Sequence, residues 1–307
     1  MTDEILVIGA GIIGIGAARE LARRGRQVRV LDRKGGAAEA SRAKAGALAF
    51  TDIEPLATPG ILRKAPKWLL DPTGPLSVPP SYALKIAPWM LRFWRASWRD
   101  RYDAAVTAQT ALMDLSRTAL DRQIAATNGA ELILHEGQLQ LYEGEAQFRA
   151  GLPGWELRGS HGIAFSPLRG RQAIAEVQPG LHPRFDHAVF TPDWRSTTDP
   201  ELWTRHLARA LVDAGGVIET ANVTALVSHG DSVTLRTDGP DRHARHVVVA
   251  AGAFSNRLAS SLGDRLPLET ERGYNTTLPP GAFDLRTQLT FGGHGFVVTR
   301  IAGGVRV

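Results

Sequence analysis

Short apolar runs and one stretch of helical spacing alternate through the first 32 residues of the chain. Residues 4–8 form an apolar run that is typical of a buried parallel strand. Residues 12–24 then place apolar side chains three and four positions apart, and Gly25 marks a helix end. Residues 27–31 form a second apolar run. The pattern predicts a strand–helix–strand unit, which is the usual start of a parallel α/β sheet.

The turn between the first strand and the helix has the spacing G-x-G-x-x-G, at Gly9, Gly11 and Gly14. The first glycine allows a tight turn, the second lets a diphosphate approach the backbone, and the third lets helix and strand pack closely. The start of the helix also offers free N–H groups to an anion. This arrangement predicts a dinucleotide site, and a glycine-rich turn without a ligand is the alternative.

Asp32 ends the second strand, 18 positions after Gly14. A carboxylate at this place accepts hydrogen bonds from ribose hydroxyls and disfavours a 2′-phosphate. NADP is therefore not expected, although the neighbouring Arg33 leaves that alternative open.

A segment of small residues, 35–46, follows and carries Ser41 and Gly46. It is interpreted either as a loop that wraps a cofactor and adds hydrogen bonds to phosphate, or as a flexible surface loop. Residues 53–82 are rich in proline and are expected to be irregular chain that crosses between domains.

The later strands suggest that the chain returns to the opening sheet. Residues 217–219 and 223–227 form short apolar runs, and residues 247–255 form a buried run that ends in small residues, including Gly252. We therefore expect an α/β fold with a discontinuous Rossmann-like dinucleotide-binding domain, residues 1–80 and 196–264. A second domain with a mainly antiparallel sheet is expected to comprise residues 81–195 and 265–307.

Two further patterns predict local structure. Residues 132–134 and 138–142 alternate about Glu136-Gly137, which predicts a β-hairpin. Asp199-Pro200 has the residue types of a helix N-cap followed by the first helical residue.

Residues 82–99 place tryptophan, phenylalanine and methionine on one helical face and arginine on the other. We expect a core-facing helix with a solvated basic face. A helix that lies on a membrane, with its rings at headgroup level and its cations near anionic lipid, is the open alternative.

Composition narrows the classes of function. The chain has 307 residues, 43% of them hydrophobic and 22% charged, with a formal charge of +5. It contains no cysteine, which excludes disulfides, thiol redox pairs and cysteine-ligated zinc. No basic block or nucleic-acid motif is present, and His243 and His246 lack an obvious acidic partner, so neither nucleic acid nor a metal is expected. The sequence shows no recognisable signal sequence and no apolar run of the ~18 residues that a membrane span requires, so we expect a cytoplasmic location.

Several motifs spread over the whole length resemble one family. They are GAGIIG with Asp32, SRAKAG, TPDWRSTTDP, VVVAAGAFSNRLA, ETERGYN and GFVVTRIAGGVRV. With these motifs the chain resembles the flavin-dependent amino-acid oxidoreductases of the D-amino-acid oxidase type, and most of all the bacterial D-amino-acid dehydrogenases.

The resemblance implies FAD as the cofactor, so that residues 1–80 and 196–264 form an FAD-binding domain and residues 81–195 and 265–307 form a substrate domain. It also implies a role in amino acid catabolism. The implied reaction is the oxidation of D-amino acids to 2-oxo acids and ammonia by hydride transfer to the flavin. It implies a small amino-acid substrate, and a membrane surface or a quinone remains an open partner. The cofactor-binding residues that it implies are Gly9, Gly11, Gly14, Asp32, Arg33, Ser41, Gly46, Val223, Ala251 and Gly252. Tyr274 and Arg306 are the candidates for contacting the substrate carboxylate.

The chain also departs from the family pattern. Relatives continue beyond the position of Val307, so the resemblance implies a substrate domain that is incomplete at its C-terminus. Asn275 stands where relatives often have histidine, and Thr299-Arg300 stands in place of Thr-Pro. The alternatives are a truncated, non-catalytic nucleotide-binding protein, an oxidase of glycine or N-methyl amino acids, and an NAD-dependent dehydrogenase. Peripheral attachment to the inner face of the cell membrane also stays open.

Overall fold

The computed structural model describes residues 3–61, 80–268, 270 and 273–307. Most of the proline-rich segment and part of the ETERGYN motif lie outside the described residues. The helices are α1 Ile12–Arg23, α2 Ala83–Ala96, α3 Arg99–Thr127, α4 Gly144–Ser160, α5 Arg171–Val177, α6 Pro200–Asp213 and α7 Ser255–Ser260. The strands are β1 Ile5–Ile8, β2 Val28–Asp32, β3 Ala47–Leu48, β4 Ile133–Leu134, β5 Gln138–Tyr142, β6 Ser166–Arg169, β7 His187–Thr191, β8 Arg195–Thr197, β9 Val217–Thr220, β10 Val223–His229, β11 Ser232–Thr237, β12 Arg242–Ala244, β13 His246–Val249, β14 Thr277–Leu278, β15 Gln288–Phe291, β16 Phe296–Ile301 and β17 Gly304–Arg306.

A four-stranded parallel sheet in the order β13-β1-β2-β9 holds the start of the chain. The central strand β1 is buried along its whole length, which explains why its sequence is continuously apolar. Because β9 and β13 come from the second half of the chain, the sheet joins segments that lie far apart in sequence. The predicted α/β class with a Rossmann-like sheet is confirmed, while the domain boundaries stay a prediction.

Helices α1 and α6 cover one face of this sheet. Ile15 of α1 and Leu207 and Leu211 of α6 are fully buried in the same apolar cluster as Val7 and Val30. Burying one such side chain stabilises the fold by about 1.5–3 kcal/mol. At the start of α6, the side chain of Asp199 accepts hydrogen bonds from the nitrogens of Glu201 at 2.7 Å and Leu202 at 3.1 Å, so the predicted N-cap is confirmed.

The other strands form three sheets: β10-β11-β12, β3-β8-β4, and a seven-stranded sheet in the order β14-β17-β16-β15-β5-β7-β6. The seven-stranded sheet is antiparallel except where β15 runs parallel to β5. One of its faces is apolar and packs against α5 and against two loop residues, Phe185 and Leu285, that lie just before β7 and β15. The expectation of a mainly antiparallel second sheet is confirmed.

The predicted hairpin between residues 132–134 and 138–142 is wrong. Strand β4 pairs with β8, with Ile133 opposite Thr197, whereas β5 pairs with β7 and β15 in the seven-stranded sheet. Gly137, with φ +70°, turns the chain from one sheet to the other. The two strands therefore find their partners in distant segments and not in each other.

Helix α2 is the Trp/Arg helix of the sequence analysis. None of its residues is buried, and Trp89 and Trp94 are each 41% exposed, so the expectation of a core-facing helix is not met. The ring of Trp89 stacks on that of Phe93 at 5.0 Å. In the part of the chain that the structure describes, no helix has both the length and the apolar character to cross a bilayer.

Candidate cofactor and substrate site

A cavity of about 410 Å³ opens at the carboxyl ends of β1, β2 and β13. Ligands of open α/β sheets bind at this edge, outside the carboxyl ends of the strands. The predicted residues Gly9, Gly11, Asp32, Arg33, Ser41, Val223, Ala251 and Gly252 all line the cavity. Eight of the ten cofactor residues chosen from the sequence therefore border one space, and the other two, Gly14 and Gly46, lie elsewhere.

The glycines of the first turn leave no room for side chains. A Cβ on Gly14 would lie 1.8 Å from the carbonyl oxygen of Gly9, and one on Gly9 would lie 2.4 Å from that of Ala250. Gly9 also has φ +108°, a conformation that L side chains rarely adopt. Gly14 thus packs helix against turn, and the turn can hold its backbone close to β13.

The side chain of Ser41 contacts the first turn of α1. Its Oγ accepts a hydrogen bond from the nitrogen of Ile12 at 3.0 Å, and a Cβ on Gly11 would meet the same oxygen at 3.0 Å. The hydroxyl proton of Ser41 remains available to a second acceptor. The nitrogens of Gly11 and Ile13 have no hydrogen-bond partner within the described residues. These donors form the kind of site that binds a diphosphate at a helix N-terminus.

The carboxylate of Asp32 holds the loops on either side of it. Its Oδ2 accepts from the nitrogen of Ala10 at 2.8 Å, and its Oδ1 accepts from those of Lys34 at 2.8 Å and Gly35 at 3.0 Å. Two carboxylate oxygens offer about four acceptor positions, so one remains for a ribose hydroxyl. Its negative charge disfavours a phosphate on that ribose.

Arg33 is occupied by a carboxylate of the protein. Its Nη2 lies 2.7 Å from both oxygens of Glu39, and its guanidinium lies 4.2 Å from the ring centre of Phe254. The hydrogen bond from Arg33 holds the pKa of Glu39 below its ordinary value, although partial burial opposes the shift. Because this cation is already paired, it is a weak receptor for a 2′-phosphate.

The far side of the cavity is mostly apolar. Val223, Phe254 and Leu258 line it, and Phe254 is 50% exposed. Gly252 has φ +56°, and nothing lies within 4 Å of the position that its Cβ would take. An apolar wall with an open glycine beside it fits an aromatic base such as adenine, and Val223 belongs to this wall.

Gly46 lies away from the cavity lining. Its φ is +75°, and a Cβ would meet the Oγ1 of Thr197 at 2.8 Å. Its carbonyl oxygen accepts from the nitrogen of Thr197 at 2.7 Å. Gly46 therefore closes the segment that carries Ser41 against β8, and its predicted contact with the cofactor remains a prediction.

The structure places the two candidate substrate residues at the edge of the seven-stranded sheet. Tyr274 is 85% exposed. The guanidinium of Arg306 donates to the carbonyl oxygen of Lys44 at 2.7 Å and to the Oγ1 of Thr277 at 3.3 Å. Thr277 lies opposite Arg306 in the pairing of β14 with β17, and Thr276 and Val307 exchange two backbone hydrogen bonds of 2.9 Å. Tyr274 lies two residues before Thr276 in the chain.

The sequence profile of the FAD dependent oxidoreductase family matches residues 4–307. The chain belongs to this family. FAD, predicted from the motifs, is thereby confirmed as the cofactor of the family, and the NAD alternative is disfavoured.

The curated relatives of this oxidoreductase support the same assignment. It is 34% identical over 281 residues to a D-amino-acid oxidase of Bradyrhizobium diazoefficiens, an alignment that covers 90% of this chain and 66% of the relative. It is 33% identical over 282 residues to a D-amino acid dehydrogenase of Allorhizobium ampelinum, again with 90% and 66% covered. The chain thus spans slightly less than two thirds of the length of these relatives.

Solved structures share the fold of this oxidoreductase. A glycine oxidase from Geobacillus kaustophilus superposes with a TM-score of 0.71 at 18% identity, over 99% of this chain and 70% of that one. An L-amino acid deaminase from Proteus vulgaris superposes with a TM-score of 0.68 at 16% identity, over 99% and 60%. At such low identity the likeness establishes the fold and not the substrate.

FAD fits the residues that are present. The glycine turn, the free nitrogens at the start of α1 and the hydroxyl of Ser41 suit its diphosphate, Asp32 suits its ribose, and the wall at Val223 suits its adenine. Sequence reasoning missed the contributions of Ala10, Glu39 and Phe254. Phe254 had a signal, because it follows Gly252 just beyond the carboxyl end of β13, where ligands of such sheets bind.

Proposed function

We propose that this oxidoreductase oxidises D-amino acids to 2-oxo acids and ammonia. FAD, when bound, would supply the acceptor for the hydride that leaves Cα, while the substrate amine would lose a proton. Water would then convert the resulting imino acid to the 2-oxo acid with release of ammonia. The 33–34% identity to proteins named D-amino-acid oxidase and D-amino acid dehydrogenase is the observation that carries the proposal. The nucleotide cradle of Gly9, Gly11 and Ser41 supports it independently.

The chain's own residues are proposed to position the reactants. The first turn and Ser41 hold the diphosphate, and Asp32 holds the ribose. Arg306 is proposed to bind the substrate carboxylate, because a hydrogen bond between a guanidinium and a carboxylate is charge-assisted and strong. Its Nε and Nη1 are used by Thr277 and Lys44, and its Nη2 has no hydrogen-bond partner among the described residues. Tyr274 is proposed to complete this contact with its exposed hydroxyl. Fixing the carboxylate would align Cα–H for transfer, and such alignment lowers the barrier.

Anaerobic reduction tests the proposal. The purified chain with FAD is mixed with D-alanine or L-alanine in the absence of oxygen, and flavin absorbance is followed. We expect the visible bands to bleach with D-alanine and to persist with L-alanine. Bleaching by glycine or N-methylglycine and not by D-alanine would instead assign the alternative substrate class. A flavin that no amino acid reduces would contradict the activity and favour the non-catalytic alternative.

We propose, as a second point, that α2 lies on the surface of an anionic membrane, where a quinone acceptor would be available. Leu84 and Leu91 are 89% and 62% exposed, and Trp89 and Trp94 are 41% exposed, on a helix that also carries Arg92. Aromatic rings and arginines together suit the headgroup layer. This placement would put the protein at the inner face of the cell membrane.

Co-sedimentation with vesicles tests the membrane proposal. We expect the chain to pellet with vesicles that contain phosphatidylserine and to stay in solution with phosphatidylcholine alone. The variant Trp89→Ser/Trp94→Ser should lose this binding. The matched control is Leu112→Ser/Leu115→Ser, which alters exposed leucines on α3 and should bind like the wild type. Equal binding by both variants, or none by the wild type, would contradict the proposal.

A further inference from the structure

Three consecutive backbone carbonyls after Ser41 accept hydrogen bonds from the edge of the seven-stranded sheet. Arg306 donates from Nη1 to the oxygen of Lys44 at 2.7 Å and to that of Arg42 at 3.4 Å. Between them, Nδ2 of Asn275 donates to the oxygen of Ala43 at 3.2 Å. We call residues 40–46 the strap.

The strap is held at both of its ends as well. At its start, Ser41 accepts from the nitrogen of Ile12 at the beginning of α1. At its end, the oxygen of Gly46 accepts from the nitrogen of Thr197 at 2.7 Å. The donors from Arg306 and Asn275 therefore reach the strap between these two ends.

We propose that Asn275 and Arg306 are positioning residues for FAD, which act on the diphosphate through the strap and without touching it. The inference rests on the FAD site of the proposed function. Residues 40–43 form a short 3₁₀ turn in which no residue is buried. Helix α6 packs against this turn, and Nε of Arg42 lies 3.9 Å from Oε2 of Glu201. The hydrogen bonds from Arg306 and Asn275 add to this contact in fixing the strap, so their loss is expected to loosen the hold on Ser41 at the start of α1.

The same contacts give Arg306 two tasks. Its Nε and Nη1 are committed to Thr277 and to the strap, which fixes the plane of the guanidinium. A fixed guanidinium is better prepared for a carboxylate than a free one, since less side-chain freedom is lost on binding. The clean test of the strap therefore uses Asn275, which is not assigned to the substrate.

The experiment titrates FAD into the apo form of the full chain and follows the quenching of flavin fluorescence. Asn275→Asp has the shape of asparagine but cannot donate to the oxygen of Ala43. We expect its Kd for FAD to rise about three- to ten-fold, the worth of one such hydrogen bond. Asn275→His keeps a ring N–H donor and is expected to restore most of the affinity. Thermal unfolding of each apo form should change little, because Asn275 is exposed.

A double-mutant cycle with Ser41→Ala measures whether the two residues are coupled in FAD affinity. A general loss of stability would not produce such a coupling. If Asn275 acts through Ser41, the loss in FAD affinity for the double variant is smaller than the product of the two single losses, because both act on one element. Independent effects that multiply would overturn the inference, and so would a wild-type Kd for Asn275→Asp. A wild-type chain that binds no FAD would overturn it together with the cofactor assignment. These affinity measurements do not require turnover. A bound flavin that no amino acid reduces would therefore contradict the proposed activity without affecting the inference about the strap.

Discussion

The Oγ of Ser41 lies 3.0 Å from the backbone nitrogen of Ile12, so the segment after β2 closes over the first turn of α1. The serine satisfies one of the free N–H groups of the helix and brings a hydroxyl to the place where a diphosphate would bind. One side chain thereby links the second strand of the unit to its first helix.

Replacing Ser41 by alanine should weaken FAD binding. The change removes the acceptor for the Ile12 nitrogen, a loss of about 1 kcal/mol for a capping interaction, and removes a donor to phosphate. We expect the Kd for FAD to rise about ten-fold in a fluorescence titration. Ser160→Ala is the control, because that hydroxyl bonds only the carbonyl of Leu157 on α4. Equal Kd values for the wild type and Ser41→Ala would contradict the assignment of the hydroxyl.

Gly14→Ala should abolish FAD binding. A methyl group at this position would lie 1.8 Å from the oxygen of Gly9, so the turn must move away from the helix. Gly16→Ala is a matched control in the same helix, where the new methyl would lie 3.7 Å from Nε2 of Gln123. It should bind FAD normally and raise stability by roughly 0.5–1 kcal/mol, because alanine favours a helix interior. Denaturant unfolding and FAD titration of both variants check the contrast, which a tolerated Gly14→Ala would refute.

Asp32→Asn should lower both the stability and the affinity for FAD. Both oxygens of Asp32 accept from backbone N–H groups, so the NH₂ of asparagine must face at least one donor. A buried donor left without an acceptor costs about 1–3 kcal/mol, and the cost is smaller here because these hydrogen bonds are only part-buried or exposed. We expect the Kd for FAD to rise by more than ten-fold, without any gain of NADP binding, because Arg33 stays paired with Glu39. Calorimetric titration with each nucleotide measures this. NADP binding by the wild type would show that the carboxylate does not exclude it, and NADP binding by Asp32→Asn alone would show that Arg33 accepts a 2′-phosphate despite its pairing with Glu39.

Acid should lower the stability that the ion pair between Arg33 and Glu39 contributes to the folded protein. Arg33 lowers the pKa of this carboxyl in the folded state relative to the unfolded chain. The pair therefore stabilises the fold above the ordinary glutamate pKa of about 4.3, and the contribution is lost as the pH falls through the lowered pKa. The pair is part-exposed, so the effect should be under about 1 kcal/mol. Denaturant unfolding of the wild type and Glu39→Gln should differ at pH 6 and converge as the pH falls through the lowered pKa of Glu39. A difference that persists in acid would contradict this explanation.

The glycine turn and Asp32 could be predicted from the sequence because their geometry is local. Gly9, Gly11 and Gly14 act on their own turn, and Asp32 is placed by the strand that precedes it. The strap contacts could not be predicted, because Arg306 and Lys44 lie 262 positions apart. The predicted hairpin at Gly137 was wrong for a similar reason. The alternation in residues 138–142 fits many neighbouring strands, and the actual partners, antiparallel β7 and parallel β15, come from distant parts of the chain. Nor did the helical pattern of α2 indicate whether its aromatic face meets a core or solvent.

The absorbance spectrum of the purified chain, before and after titration with FAD, tests the central claim most directly. The account predicts a yellow protein, or an apo form that takes up one FAD per chain with a fixed endpoint, and a Gly14→Ala variant that takes up none. A colourless chain that FAD cannot reconstitute, although circular dichroism shows it to be folded, would contradict the cradle at the carboxyl ends of β1 and β2.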